Sequence, residues 1–263
     1  MIAEWKGKWA LVTGASAGIG KALAEELAQG GANLVLTARR QERLESLAQQ
    51  LQAKFKIETA IFVADLAQTS TPEAIFQFTQ AKGLEIELLV NNAGFGQYGE
   101  FHTVETQRLL EMAQVNCAAV LHLTRLYLPA MVAKRRGNVL IVASTAAFQA
   151  VPYISTYAAT KVFDLYLAEG LAEEMRPYGI RVCALCPGTT ASEFHDVAGH
   201  PDHSRGPQQS AETVARNGLK ALAAGKSYVI SGMGNYLGAH AQRLVPRRLV
   251  TRIAAKLFRQ SAH

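Results

Sequence analysis

The sequence predicts an α/β fold: a Rossmann-like, doubly wound parallel sheet of about seven strands with helices on both faces. Three observations carry this expectation. Short apolar runs alternate along the chain with segments of helical periodicity. The runs are rich in Val, Ile and Leu without polar alternation, as in strands covered on both faces. A glycine-rich turn joins the first run to the first helical segment.

Trp9–Thr13 reads as the first strand, and Gly14 to Gly20 as the turn. Lys21–Gln29, with apolar spacing at Leu23, Ala24 and Leu27, reads as the first helix. Strand Asn33–Thr37, helix Gln41–Ala53 and strand Ile57–Val63 follow. A helix is expected from Thr71-Pro72 to Lys82, with Thr71 as N-cap and Pro72 at the first helical position, and then strand Leu88–Val90. A long helical stretch from about Val104 to Lys134 precedes strand Asn138–Ala143, helix Thr156–Arg176 and strand Ile180–Leu185. Helix Ser210–Ala224 and strand Tyr228–Ile230 complete the pattern, with no internal repeat and no Pro-, Gly- or Ser-rich linker.

At 263 residues the chain suits one α/β domain, expected over 1–242, with a basic amphipathic extension over 243–263. With 49% hydrophobic and 18% charged residues it has a globular composition, not that of a disordered chain. Six of the basic residues, Arg243, Arg247, Arg248, Arg252, Lys256 and Arg259, follow residue 242 with no acid among them. The remainder balances 21 basic against 21 acidic residues, which argues against a nucleic-acid-binding surface. No export signal or uninterrupted apolar span is read, and the expected compartment is the cytoplasm. Cys117, Cys183 and Cys186 cannot all pair with one another and read as buried thiols. The Cys183/Cys186 spacing within a strand points the two thiols to opposite faces, and no metal site is expected.

Gly14, Gly18 and Gly20, with Ser16 and Ile19 between them, form a turn that lets the backbone approach a pyrophosphate at the positive end of the following helix. The second strand ends at Thr37-Ala38-Arg39-Arg40, where a carboxylate would hold a ribose hydroxyl and a guanidinium a 2′-phosphate. The two arginines favour NADP(H), with Arg39, nearer the strand end, the better candidate. Asp65, followed by Leu66, suits either an adenine contact or a helix cap. Asn91, Asn92, Ala93 and Gly94 close a strand at the same carboxyl edge, where open α/β sheets bind ligands.

Tyr157 and Lys161 are one helical turn apart on one face. An ammonium beside a phenol favours the phenolate; at an effective dielectric of about 20, opposite charges about 4 Å apart interact by about 4 kcal/mol, enough to lower the phenol's pKa by up to about 3. Ser144 ends a strand at the same edge and suits a hydrogen bond to a substrate oxygen. Asn116 interrupts a long helix, where its carbonyl or side chain would hold a water feeding protons toward Lys161.

The ordered set Thr13-Gly14-x-x-x-Gly18-Ile19-Gly20, Asn91-Asn92-Ala93-Gly94, Asn116, Ser144, Tyr157-x-x-x-Lys161 and Pro187-Gly188 resembles the short-chain dehydrogenase/reductase family in its single-domain form, over roughly residues 7 to 231. The resemblance implies an NADP(H)-dependent oxidoreductase acting on a carbonyl or alcohol, with Asn116, Ser144, Tyr157 and Lys161 as catalytic tetrad. It implies that Lys161 holds the nicotinamide ribose and that the stretch after Pro187-Gly188, with Thr190 and Ser192, holds the nicotinamide amide. Ser192 stands where the family usually has threonine. The resemblance also implies a homodimer or homotetramer through the long helices. A non-catalytic NADPH-binding regulator or scaffold is the alternative, and the intact tetrad speaks against it.

Phe95, Tyr98, Phe148, Tyr153 and Phe194 are the expected walls of a largely apolar substrate pocket, with Phe101, Val151, Ile154 and His195 nearby. The loop His195 to Pro207 reads as a lid. Pro246 to Arg259 places Leu249, Val250, Ile253, Leu257 and Phe258 on one helical face and cations around the rest, which suits an anionic membrane surface, a partner subunit or the chain's own body.

Overall fold

The computed structural model describes residues 2–194, 198–199 and 208–259. Strands β1 (Trp9–Thr13), β2 (Asn33–Ala38), β3 (Thr59–Val63), β4 (Ile86–Asn91), β5 (Gly137–Val142), β6 (Ile180–Cys186) and β7 (Tyr228–Ile230) form one parallel sheet in the order β3-β2-β1-β4-β5-β6-β7. The order reverses between β1 and β4, so a crevice opens beyond their carboxyl ends. The helices are α1 (Gly18–Gln29), α2 (Gln41–Phe55), α3 (Thr71–Ala81), α4 (Thr106–Ala113), α5 (Ala119–Lys134), α6 (Ser155–Met175), α7 (Ala211–Ala223), α8 (Met233–Ala241) and α9 (Arg247–Phe258).

The absence of polar alternation has a visible cause. Ala10 and Val12 of β1 join a core with Leu23, Leu44 and Leu219 from α1, α2 and α7. Leu11, between them, joins a second core with Leu123 of α5 and Leu165 of α6. Each leucine or valine side chain so buried contributes roughly 1.5–3 kcal/mol relative to exposure. Cys183 lies in the first core and Cys186 in the second, so these two free thiols of β6 do face opposite ways.

Three local differences are informative. Thr71 is the first residue of α3 and not its N-cap, and its hydroxyl donates to the Asp65 carbonyl at 2.7 Å. The stretch Thr106–Lys134 is long enough and on average apolar enough to cross a membrane, although Arg108, Glu111, His122 and Arg125 interrupt it, and Val115, Val120, Leu123, Tyr127 and Met131 are buried along it against the sheet. Helix α8 has no counterpart in the sequence reading, because Gly234 and Gly238 lower its helix propensity.

Candidate active site

Along the carboxyl edge of the sheet runs a cleft of about 760 Å³, extending from the glycine turn past Lys161 to Phe258. Its phosphate end is built on β1. Gly14 sits at φ +66°, and a Cβ there would come within 2.8 Å of Asn92 Nδ2 and 2.9 Å of Ala93 Cα, so no larger residue fits. Asn92 donates its amide to the Thr13 carbonyl at 2.8 Å, while the Thr13 hydroxyl accepts from the backbone N–H groups of Asn92 and Ala93. The asparagine thus braces the turn from behind. Helix α1 begins at Gly18 after Ala17, which supplies no side-chain cap, leaving its first N–H groups directed at the cleft. That uncapped terminus fits a pyrophosphate. Ser16, Ile19 and Gly20 line the same end.

Arg39 and Arg40 line the cleft beside Asp65 and Leu66. Arg40 donates Nε and Nη2 to Ser16 Oγ at 3.2 and 3.0 Å, and Nη1 to Glu193 at 2.6 Å. Glu193 also accepts from Arg43 at 2.6 Å, and these cations hold its carboxyl below the usual range. Arg39 forms no hydrogen bond or ion pair with the described residues. Asp65 accepts from the Ala67 N–H at 3.0 Å, a local turn contact, while facing the cleft.

At the other end, Asn116 lies in a π turn, Gln114–Ala118, between α4 and α5. Its amide hydrogens are both used: Oδ1 accepts from Phe95 N at 3.1 Å, and Nδ2 donates to Phe95 O at 2.9 Å and Thr160 Oγ1 at 3.0 Å. A water held toward Lys161 would donate to the backbone carbonyl or to the second lone pair of Oδ1. Gly94 passes so close that a Cβ would lie 3.1 Å from Asn116 Oδ1 and 3.5 Å from Lys161 Nζ. Ser144 lies two residues beyond β5 and caps a 3₁₀ turn, accepting from Ala146 N at 3.1 Å.

Tyr157 and Lys161 share the face of α6 that lines the cleft, with the ammonium 5.8 Å from the phenol ring centre. Lys161 is 5% exposed and donates to the Val142 carbonyl at 2.8 Å and to Asp164 Oδ2 at 2.9 Å. Burial would lower its pKa, but the Asp164 carboxylate and then the Tyr157 phenolate outweigh this and hold it above the ordinary value. Burial pushes the Asp164 carboxyl up to about 6 against the pull of Lys161. Burial also pushes the Tyr157 phenol above its ordinary value; Lys161 and the Ser144 hydroxyl pull down without reversing it. The expected acidification by Lys161 is thus corrected: the ammonium is partly compensated by Asp164, and desolvation wins.

Residues 8–201 match the family model of the short chain dehydrogenases. The chain belongs to the short-chain dehydrogenase family. The family is one of nicotinamide-dependent oxidoreductases, and its sheet, glycine turn and Tyr-x-x-x-Lys helix are all present here. Among relatives, the chain is similar to a very-long-chain 3-oxoacyl-CoA reductase from Bos taurus, with 33% identity covering 84% of this chain and 70% of that protein. It is 37% identical to very-long-chain 3-oxoacyl-CoA reductase-A from Danio rerio, covering 73% of this chain and 60% of that protein. The chain thus spans about three fifths of the zebrafish relative's length. Among solved structures, a short-chain dehydrogenase from Sphingobium yanoikuyae in complex with NADPH superposes with a TM-score of 0.83 at 28% identity, covering 97% of this chain and 98% of that one.

In this short-chain dehydrogenase the apolar end of the cleft is lined by Phe95, Tyr98, Phe194 and Ile154. Phe194 packs on the Tyr157 ring with centroids 5.1 Å apart. Phe148 is corrected: it packs against Tyr228 of β7, centroids 6.2 Å apart, because the 3₁₀ turn carries it onto the core and not into the cleft. Tyr153 is set back from the lining, its ring 6.2 Å from Tyr98 and its hydroxyl accepting from Arg259 Nε at 3.0 Å. His195 and all of the expected lid except Ala198 and Gly199 lie outside the described residues. Pro187, Gly188, Thr190 and Ser192 line the cleft between the two ends.

The sequence reading missed three contributors. Asp164 is fully buried beside Lys161, and its three-residue spacing from that lysine was the available signal. Glu193 reaches Arg40 and Arg43 from about 150 residues away, which no local pattern reports. Leu257 and Phe258 of α9 complete the cleft wall, with the Tyr98 hydroxyl donating to the Phe258 carbonyl.

Proposed function

We propose that the chain is an NADP(H)-dependent reductase of a carbonyl group on a largely apolar molecule, with Tyr157 as proton donor. The observation that carries this is the Tyr157 phenol, with the buried Lys161 ammonium and the Ser144 hydroxyl beside it, opening on a cleft lined by Phe95, Tyr98, Phe194 and Phe258. Two relatives named for reducing very-long-chain 3-oxoacyl-CoA support an acyl chain as the apolar part.

A nicotinamide bound in the cleft would supply the hydride. The residues of this chain position and protonate. Tyr157 donates its proton to the carbonyl oxygen, and Ser144 donates a hydrogen bond to the same oxygen as negative charge develops there. Lys161 offsets the charge left on the phenolate and orients the ribose. Asn116 holds the Phe95 segment and the Thr160 hydroxyl on the helix turn before Lys161. Gly14 to Gly20 would seat the pyrophosphate, while Asp65, Leu66, Ala93 and the Pro187 to Ser192 segment would hold adenine, ribose and nicotinamide.

A phenol held above its ordinary value keeps its proton through neutral pH. The expected kcat/KM for reduction is therefore flat across neutrality and falls only on the alkaline side of the ordinary tyrosine value of about 10. Oxidation of the alcohol, which needs the phenolate, rises over the same alkaline range. An alkaline limb below pH 8 in the reduction profile would contradict the buried-phenol account.

The cofactor preference rests on Arg39, which lines the cleft and has no hydrogen-bond or ion-pair partner among the described residues. A charged hydrogen bond of this kind is worth about 1.5–3 kcal/mol, so Arg39→Ala should weaken NADPH binding roughly 10- to 100-fold while leaving NADH binding nearly unchanged. Titration of protein fluorescence with both dinucleotides checks this. An equal loss for both would show that Arg39 does not read the 2′-phosphate.

A further inference from the structure

Thirteen large apolar side chains are exposed among the described residues, and seven of them, Met233, Tyr236, Leu237, Leu244, Leu249, Ile253 and Leu257, fall in one stretch of 25 residues. Packing does not explain this concentration. Along α9 three rows succeed one another around the axis at helical spacing. Val250, Ala254 and Phe258 form the row nearest the body, with Ala254 only 4% exposed. Leu249, Ile253 and Leu257 form the next, at 49%, 49% and 72% exposed. Arg248, Arg252 and Lys256, all exposed, form the third.

The helix is anchored where the substrate would enter. The Tyr98 hydroxyl donates to the Phe258 carbonyl, Arg259 donates to Tyr153, and Leu257 both lines the cleft and faces outward. An apolar shoulder bordered by cations matches the interface of an anionic bilayer, where the shoulder enters the acyl boundary and the long basic side chains reach the headgroups. A second copy of the chain fits poorly, because pairing this face with itself would bring two acid-free cationic rows together.

We infer that α8 and α9 seat the mouth of the cleft on an anionic lipid surface, so that an apolar carbonyl substrate enters past Leu257 from the lipid. The part concerning substrate entry rests on the reductase reading; the part concerning the surface does not.

The test is flotation of the full chain with phosphatidylcholine vesicles, with and without phosphatidylglycerol. Wild type is expected to float with the anionic vesicles only, and to be released by salt. The triple variant Arg248→Glu/Arg252→Glu/Lys256→Glu should lose at least about a hundredfold in partitioning, since each cation near such a surface is worth about a fivefold factor. Leu249→Ser/Ile253→Ser, which keeps every charge, should also lose binding. Unchanged melting temperatures establish that the variants fold. Equal flotation with neutral vesicles, no flotation, or concentration-dependent dimerisation abolished by the triple variant would each overturn the inference. With a short water-soluble ketone the triple variant should match wild type, whereas with a long-chain ketone carried in anionic vesicles its rate should fall at least tenfold. Equal rates on both substrates would overturn lipid delivery. Absence of turnover by wild type on any carbonyl would sink the reductase reading and leave the flotation result standing.

Discussion

Tyr157→Phe is expected to lower kcat for carbonyl reduction by about a thousandfold, within the range of a hundred to ten thousand typical of a positioned proton donor. NADPH affinity should change less than about twofold. The substitution removes one oxygen and leaves the ring that packs on Phe194, so the cleft keeps its shape. Steady-state NADPH oxidation with long-chain 3-oxoacyl thioesters and bulky ketones, alongside dinucleotide titration, separates the two effects. Turnover within tenfold of wild type would rule out the phenol as the acid and revive a binding protein without catalysis.

The second large effect concerns stability as well as rate. Lys161→Met removes the partner of a carboxylate that is fully buried and whose Oδ1 has no hydrogen-bond partner among the described residues. Stranding such a charge typically costs about 3–5 kcal/mol. For a chain of this size that corresponds to a Tm lower by roughly 6–20 °C. Adding Asp164→Leu should recover most of the Tm, because a well-packed apolar pair is often as stable as a buried ion pair, without recovering turnover. The deficit of the single variant should also shrink as the pH falls. With Lys161 in place burial already raises Asp164 to about 6 against an ordinary 3.8; without the ammonium that pulls it down the folded-state value lies higher still, so protonation favours the variant's fold and that contribution is lost as the pH rises through the folded-state value. Calorimetry of wild type, single and double variants across acid to neutral pH provides the measurement. A single variant that melts with wild type would mean that Asp164 is solvated or paired in some other way.

What was legible in the sequence was local. The sheet could be read because each strand lies between helices that demand apolar residues on both of its faces, as Ala10, Leu11 and Val12 illustrate. The glycine turn and the Tyr157/Lys161 pair could be read because a tight turn and a single helical step are set by nearest neighbours. Phe148 was misplaced because an aromatic residue reads alike in a core and in a pocket wall; only the geometry of the Thr145–Phe148 turn decides. The charge state of Tyr157 escaped for a different reason. Spacing reveals the helpful lysine, but the desolvation that outweighs it, and the aspartate that compensates it, depend on burial that only tertiary packing creates. The docking of α9 joins Phe258 to Tyr98 across 160 residues, and amphipathicity alone left its partner open.

The opposed thiols of β6 have a consequence for handling the protein. Neither can reach the other, and burial pushes Cys183 up to about 12 and Cys186 higher still, so both remain unreactive while the sheet is intact. Alkylation of either position requires β6 to leave its neighbours, which makes the rate of labelling at Cys183 and Cys186, read apart from the partly buried Cys117, an intrinsic clock for global opening.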